Sequence, residues 1–182
     1  MCRRLPHPMQ RTETVLLLGD SLVEFFDWQA RFPEMTMSNR GVAGERVRGL
    51  LARLADELAA AGRVEVVVIM IGANNLAGGD YAFLRDYEKI LHRVRQVLPG
   101  ARIAVTSLLP FAFPWLAADA ISRLNGSLRS LAGLAAADYL DVHAAFAAAR
   151  QAGQSCFLPD GVHLTGRGYQ TWAEVLAAYL AR

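Results

Sequence analysis

The chain has 182 residues, of which 53% are hydrophobic and 20% are charged, and its formal net charge is +2. This length suits one domain with a substantial core, and so small a charge gives no indication of a nucleic-acid partner. The two cysteines are Cys2 and Cys156, and the first falls in an N-terminal segment with no apolar signal-peptide core, so a reducing, cytoplasmic location is expected. The apolar run at 66–71 is far too short for a membrane span.

Residues 1–12 are interpreted as a flexible leader and residues 13–182 as a single domain. Within that domain, apolar runs alternate with segments of helical periodicity. The strands are predicted near 14–18, 35–39, 64–71, 102–108 and 139–142. The helices are predicted near 21–33, 45–61, 80–98 (capped by Asp80), 120–137, 144–151 and 165–182.

This alternation of strand and helix predicts an α/β fold, with a five-stranded parallel sheet covered by helices on both faces. A doubly wound strand order of 2-1-3-4-5 would place the ends of the first three strands at one crevice. Residues that follow those strands, namely Ser21, Gly44 and Asn74, are therefore expected to converge there.

Ser21 comes directly after the first buried strand, where Gly19 permits a tight turn. A serine hydroxyl needs a neighbouring base to act as a nucleophile, and that base is usually a histidine oriented by an acceptor. His163 lies three residues after Asp160, with a glycine between them. In this spacing the carboxylate can hold one imidazole nitrogen while the other faces the serine. The alternative is a simple turn and helix cap.

An acyl-transfer site also needs hydrogen-bond donors for the developing oxyanion. The backbone N–H of Ser21, the backbone N–H of Gly44 and the side-chain amide of Asn74 are candidates. For Gly44 the alternative is an ordinary turn glycine. For Asn74 it is an amide that satisfies the backbone of a loop.

Four motifs carry a resemblance to a known family, and they occur in that family's order: Gly19-Asp20-Ser21-Leu22, Asn39-Arg40-Gly41-Val42-Ala43-Gly44, Gly72-Ala73-Asn74-Asn75 and Asp160-Gly161-Val162-His163. They resemble the signature blocks of the SGNH (GDSL) hydrolases over the chain from about residue 14 onward. The Asn-Asn pair and the segments 107–110 and 164–169 are most similar to catalytic subunits of platelet-activating-factor acetylhydrolase. Many members of the family have aspartate where this chain has Asn75, so the role of that residue stays open.

The resemblance implies a flavodoxin-like three-layer α/β/α fold and ester hydrolysis through a covalent acyl-serine. It makes Ser21 the nucleophile, His163 the base and Asp160 its orienting partner. It also places Gly44 and Asn74 with the Ser21 amide in the oxyanion hole. A Gly-x-Ser-x-Gly elbow is lacking, which disfavours the other common serine-hydrolase fold.

The loop at 109–118 is unusually apolar, and it follows the fourth predicted strand on the side of the proposed site. Phe111, Phe113 and Trp115 are candidates for substrate binding, either as the wall of an acyl pocket or as parts of a lid. The alternatives are local packing under the next helix and a dimer contact.

Other residue types that carry chemistry are assigned structural roles. Phe25, Phe26 and Trp28 follow the serine at helical spacing and are assigned to the core. Cys156 lies four residues before Asp160, and without another histidine nearby it is expected to be inert. Histidines, cysteines and carboxylates show no metal-ligand spacing, so neither a metal nor a cofactor is expected.

The sequence therefore predicts a cofactor-independent serine esterase that acts on small or short-chain esters, with acetyl as the leading acyl group. Two alternatives stay open: a thioesterase or lysophospholipase on the same site, and a non-catalytic sugar- or lipid-binding module. The expected partner is a small-molecule ester. The family contains dimers, so a homodimer is compatible with the resemblance.

Overall fold

The computed structural model describes residues 12–182, so the leader assigned to 1–12 lies almost wholly outside the described residues. Five strands form one parallel sheet in the order β2-β1-β3-β4-β5, as predicted. The strands are β1 (Thr14–Gly19), β2 (Thr36–Gly41), β3 (Val66–Met70), β4 (Arg102–Thr106) and β5 (Asp138–Leu140). The described helices are α1 (Ser21–Glu24), α2 (Trp28–Arg31), α3 (Val47–Ala60), α4 (Ala73–Ala77), α5 (Leu84–Val97), α6 (Ala120–Leu134), α7 (Val142–Gln151) and α8 (Gly166–Leu180).

The central strands are buried on both faces. Every residue of β3 is buried, as is every residue of β1 after its first, which requires helices on both sides of the sheet. Helix α3 packs against α5, and α7 packs against α8. The aromatic core includes Trp28, whose ring meets that of Trp172 edge-on with 4.8 Å between centroids.

The register of the sheet brings the ends of three strands to the same level. Gly19, the last residue of β1, is paired with Gly41 at the end of β2 and with Met70 at the end of β3. Ser21 follows the end of β1 by two residues, and Gly44 and Asn74 follow the ends of β2 and β3 closely. The predicted convergence of these three segments at one edge of the sheet is therefore present.

The single helix predicted from Ser21 to about residue 33 is wrong, because the structure divides it into α1 and α2. The carbonyl oxygen of Val23 accepts hydrogen bonds from Trp28 Nε1 and Asn39 Nδ2, both at 2.9 Å. Asp27 then caps a new helix by accepting from the N–H of Ala30 at 2.9 Å. Side-chain hydrogen bonds from elsewhere in the fold thus replace the helical pattern at this point.

Asp80 does not cap the helix that follows it, which begins only at Leu84. Its carboxylate instead accepts from Asn75 Nδ2 at 2.7 Å and from the N–H of Ala82 at 2.9 Å. Phe83 is buried between this turn and the helix. The acid therefore closes the turn after α4, and the helix starts one turn later than predicted.

Candidate active site

Ser21, His163 and Asp160 form one chain of hydrogen bonds. Ser21 Oγ lies 3.1 Å from His163 Nε2, and His163 Nδ1 lies 2.7 Å from Asp160 Oδ2. Ser21 is the first residue of α1 and is buried, whereas the histidine and aspartate come from the loop before α8. Residues 142 positions apart in sequence thus meet at one hydroxyl.

A tight turn presents the aspartate to the histidine. Gly161 has a φ of +69°, a conformation that favours glycine. Asp160 Oδ1 accepts from the backbone N–H groups of Val162 and His163, both at 2.9 Å. The hydrogen bond from the His163 side chain, followed by these two backbone bonds, lowers the pKa of Asp160 to about 2. The carboxylate is therefore ionised at neutral pH and can fix the imidazole with its proton on Nδ1.

The three groups predicted as oxyanion donors belong to residues that follow the carboxyl ends of β1, β2 and β3. Gly44 has a φ of +76° in the turn between β2 and α3. Among the described residues, neither the N–H of Ser21 nor that of Gly44 donates to a protein acceptor. Asn74 is in α4, and its Nδ2 donates one hydrogen bond to the carbonyl oxygen of Glu45 at 3.0 Å. A side-chain amide carries two N–H donors, so the second is left for a ligand.

Gly72 allows the chain to turn sharply from β3 into the helix that carries Asn74. Its φ is +129°, and an added Cβ would lie 3.0 Å from Leu108 Cδ2. Both the backbone conformation and the lack of space therefore favour glycine at this position.

Asp20, immediately before the serine, is almost fully buried. Its Oδ1 accepts from the N–H of Leu22 at 3.0 Å and so caps α1. Among the described residues, Oδ2 has no hydrogen-bond partner. Burial raises the pKa of Asp20 to about 7, with a further contribution from the nearby Glu45.

Asn75, whose role was open, is a structural residue. It is buried, with Oδ1 accepting from the N–H of Val47 at 3.0 Å and Nδ2 donating to Asp80. It thereby joins the start of α3 to the turn after α4.

Phe25 is not a core residue, which corrects its assignment. Its side chain is 58% exposed, and its ring centroid lies 5.7 Å from that of His163. The early end of α1 turns this side chain toward the histidine, since Phe25 is already outside the helix. Phe26 and Trp28 do pack against the core, as predicted.

The loop at 109–118 contributes its three predicted aromatic residues in different ways. Phe111 is buried and packs against Phe113 and Phe157 at centroid distances of 5.7 and 6.1 Å. Phe113 is stacked on Trp115 at 5.3 Å, and Trp115 is 58% exposed. Local packing, the alternative reading of this loop, thus describes Phe111, whereas Trp115 is accessible.

Cys156 is a buried free cysteine, with its Sγ 3.9 Å from Thr171 Oγ1. It is not part of the serine–histidine–aspartate chain. Across residues 12–182 the structure shows no cluster of three or more potential metal ligands. Within the same residues, it contains no helix of the length and apolarity needed to cross a membrane.

A parallel sheet in this strand order, with a serine, a histidine and an aspartate linked at its carboxyl edge, is the architecture of an α/β ester hydrolase. The chain belongs to the GDSL-like Lipase/Acylhydrolase family, whose model matches residues 17–171. The resemblance seen in the four sequence motifs is thus confirmed.

Individual relatives fit the same assignment. The chain is 29% identical over 161 residues to the human platelet-activating factor acetylhydrolase IB subunit alpha2, across 85% of this chain and 70% of that protein. A structure from Streptococcus pneumonia, described as that of a provisional platelet activating factor, has a TM-score of 0.80 at 27% sequence identity. The match covers 96% of this chain and 86% of the Streptococcus chain. An acetyl xylan esterase from Geobacillus stearothermophilus has a TM-score of 0.75 at 17% identity, covering 91% of this chain and 93% of its own, which shows the shared fold.

Proposed function

We propose that this protein is a serine esterase that hydrolyses small or short-chain esters, with acetyl as the leading acyl group. The observation that carries the proposal is the continuous chain of hydrogen bonds from Ser21 Oγ through the imidazole of His163 to the carboxylate of Asp160. Family membership supports ester hydrolysis as the reaction class.

In the first half of the proposed reaction, Ser21 Oγ attacks the ester carbonyl carbon while His163 Nε2 takes the hydroxyl proton. Asp160, ionised because its pKa is lowered to about 2, stabilises the imidazolium that forms. The protonated His163 then gives its proton to the departing alkoxide as the bond between carbonyl carbon and alcohol oxygen breaks. An acyl-serine and a free alcohol result.

In the second half, water attacks the acyl-serine carbonyl and gives a proton to His163 Nε2. The acid is released when the carbon–Oγ bond breaks and the proton returns to Ser21. In both halves the negative charge develops on the carbonyl oxygen. We assign the stabilisation of this charge to three donors: the backbone N–H groups of Ser21 and Gly44 and the second side-chain N–H of Asn74. The turns that carry these residues fix the directions of the donors.

Two cavities border the loop at 109–118, and neither has Ser21 or His163 in its wall. A cavity of about 290 Å³ lies between this loop, α7 and the segment 154–157, with Pro110, Phe146, Phe157 and Gly161 in its wall. A second cavity of about 280 Å³ lies on the other side of that loop, beside Trp115. The preference for an acetyl group rests on two similar proteins, an acetylhydrolase subunit and an acetyl xylan esterase, both named for acetyl esters.

We assign Phe113 and Trp115 to the wall of the substrate site, with Phe111 supporting them from the core. Trp115 Nε1 lies 3.4 Å from the carbonyl oxygen of Leu76 in α4, the helix that carries Asn74. This contact joins the aromatic loop to an element of the oxyanion site. A reducing cytoplasmic location and a homodimer stay predictions.

A series of p-nitrophenyl esters from acetyl to decanoyl tests the function. We expect the highest kcat/KM for acetyl or butanoyl and a fall with longer chains. Ser21→Ala is expected to lose on the order of 10⁶ in kcat. A maximum at decanoyl would indicate a lysophospholipase-like enzyme, and faster acetyl-thioester hydrolysis would indicate a thioesterase. Turnover unchanged by Ser21→Ala, or no turnover at all, would refute the proposal.

A further inference from the structure

Arg53, on α3, binds the carboxylates of Glu45 and Glu57. Its Nε and Nη2 donate to the two carboxylate oxygens of Glu45 at 2.7 and 2.6 Å, and its Nη1 donates to Glu57 at 2.8 Å. The side chains of Arg53 and Glu45 are only 20% and 8% exposed. Hydrogen bonding to Glu45 raises the pKa of the guanidinium. A two-pronged arginine–carboxylate contact fixes orientation as well as distance.

The same guanidinium also reaches the carboxyl ends of two strands. Arg53 Nη2 donates to the carbonyl oxygen of Arg40 in β2 at 2.8 Å and lies 3.5 Å from that of Gly19 at the end of β1. Gly19 comes two residues before Ser21, and its carbonyl oxygen also accepts from the N–H of Val42 at 3.0 Å. Arg53 is thus in contact with the strand that leads to the serine and with the strand that leads to Gly44.

Glu45 connects Arg53 to the oxyanion donors. It directly follows Gly44, and its carbonyl oxygen accepts the 3.0 Å hydrogen bond from Asn74 Nδ2. The same residue therefore carries the carboxylate held by Arg53 and the carbonyl that orients Asn74. A shift of Glu45 would move both Gly44 and Asn74.

We propose that Arg53 is a positioning residue that holds the oxyanion donors Gly44 and Asn74 in place through Glu45. The inference rests on the proposed esterase function. Oxyanion donors act within about 2.7–3.1 Å of the charge that they stabilise, and a misplacement of about 1 Å can cost a hundredfold in rate. Arg53 itself touches neither the serine hydroxyl nor the histidine, so its effect is exerted on the donors.

The test compares steady-state kinetics on p-nitrophenyl acetate with the rate at which an organophosphonate inactivates the enzyme. The wild type, Arg53→Ala and Arg53→Lys are measured. For Arg53→Ala we expect a loss of about 30- to 100-fold in both kcat and the inactivation rate, with KM changed less than about threefold. Lysine keeps the positive charge but cannot form the two-pronged contact with Glu45, so kcat of Arg53→Lys is expected to fall about tenfold. Should Arg53→Ala fail to fold, Arg53→Lys carries the test alone.

A double variant separates positioning from general stabilisation. In Arg53→Ala the carboxylate of Glu45 is left without its partner, close to Asp20. Adding Glu45→Gln removes that charge, so the double variant is expected to be no slower than Arg53→Ala alone. A double variant slower than Arg53→Ala alone would overturn the inference, since Glu45 would then act independently of Arg53.

Arg102→Ala is the matched control. Arg102 also contacts a carboxylate, that of Glu13, and a backbone carbonyl, that of Tyr179, but it begins β4 at the opposite edge of the sheet. We expect wild-type kcat for this variant. A wild-type kcat in Arg53→Lys or Arg53→Ala, while the organophosphonate still inactivates the enzyme at Ser21, would overturn this inference and leave the proposed function standing. If the organophosphonate does not react with Ser21 in the wild type, the proposed function is overturned, and this inference falls with it.

Discussion

The buried carboxyl of Asp20 predicts a measurable dependence of stability on pH. Burial raises its pKa from 3.8 to about 7 in the folded protein. Between these values the folded protein holds one proton more than the unfolded chain, which titrates near 3.8. Stability is therefore lost as the pH rises through this window, by about 1.4 kcal/mol per pH unit. Over roughly three units the loss amounts to about 4 kcal/mol.

Asp20→Asn removes this titration while it keeps the oxygen that accepts from the N–H of Leu22. The variant's free energy of unfolding, relative to the wild type, is expected to rise by about 4 kcal/mol between pH 4 and pH 8. Urea unfolding followed by tryptophan fluorescence at each pH measures this difference. Asp56→Asn, which removes an exposed carboxylate on α3, controls for net charge. Parallel stability curves for Asp20→Asn and the wild type would refute the reasoning.

Three further outcomes concern catalysis. Asn74→Ala removes one of the proposed oxyanion donors, so kcat on p-nitrophenyl acetate should fall by about 10²–10³; a loss below threefold would contradict the proposed role. Asp160→Asn leaves an amide that cannot stabilise the imidazolium, so kcat should fall by about 10³–10⁴, and unchanged kcat would contradict the assignment. Activity should fall on acidification because protonated His163 cannot accept the serine proton, whereas Asp160, with its pKa lowered to about 2, stays ionised above pH 4. This loss of activity at low pH should persist in Asp20→Asn. If the loss disappears in that variant, it reflects the protonation of Asp20 instead.

The strands of the sheet and the turn that holds Asp160 and His163 could be predicted because their signals are local. Uninterrupted apolar runs such as those of β1 and β3 mark strands that are buried on both faces, and parallel strands must bring their carboxyl ends to one edge. The turn that joins Asp160 to His163 is contained within four residues. The meeting of Ser21 with His163, 142 positions apart, was instead expected from the convergence of strand ends and from the four family motifs.

The features that were missed depend on contacts between distant residues. The break between α1 and α2 follows from a hydrogen bond from Asn39 to Val23, 16 residues apart. The set of contacts around Arg53 includes backbone carbonyls, which no sequence pattern displays. The exposure of Phe25 beside His163 follows from that same helix break. In each case tertiary hydrogen bonding overrides the local periodicity.

The most direct test of the proposed chemistry is covalent labelling of the serine. An organophosphonate reacts with a serine that a neighbouring base activates, and peptide mass spectrometry locates the adduct. We expect a single adduct on Ser21 in the wild type, a much slower reaction in His163→Ala and no adduct in Ser21→Ala. An adduct on another residue, or a wild-type labelling rate in His163→Ala, would contradict the role assigned to this site.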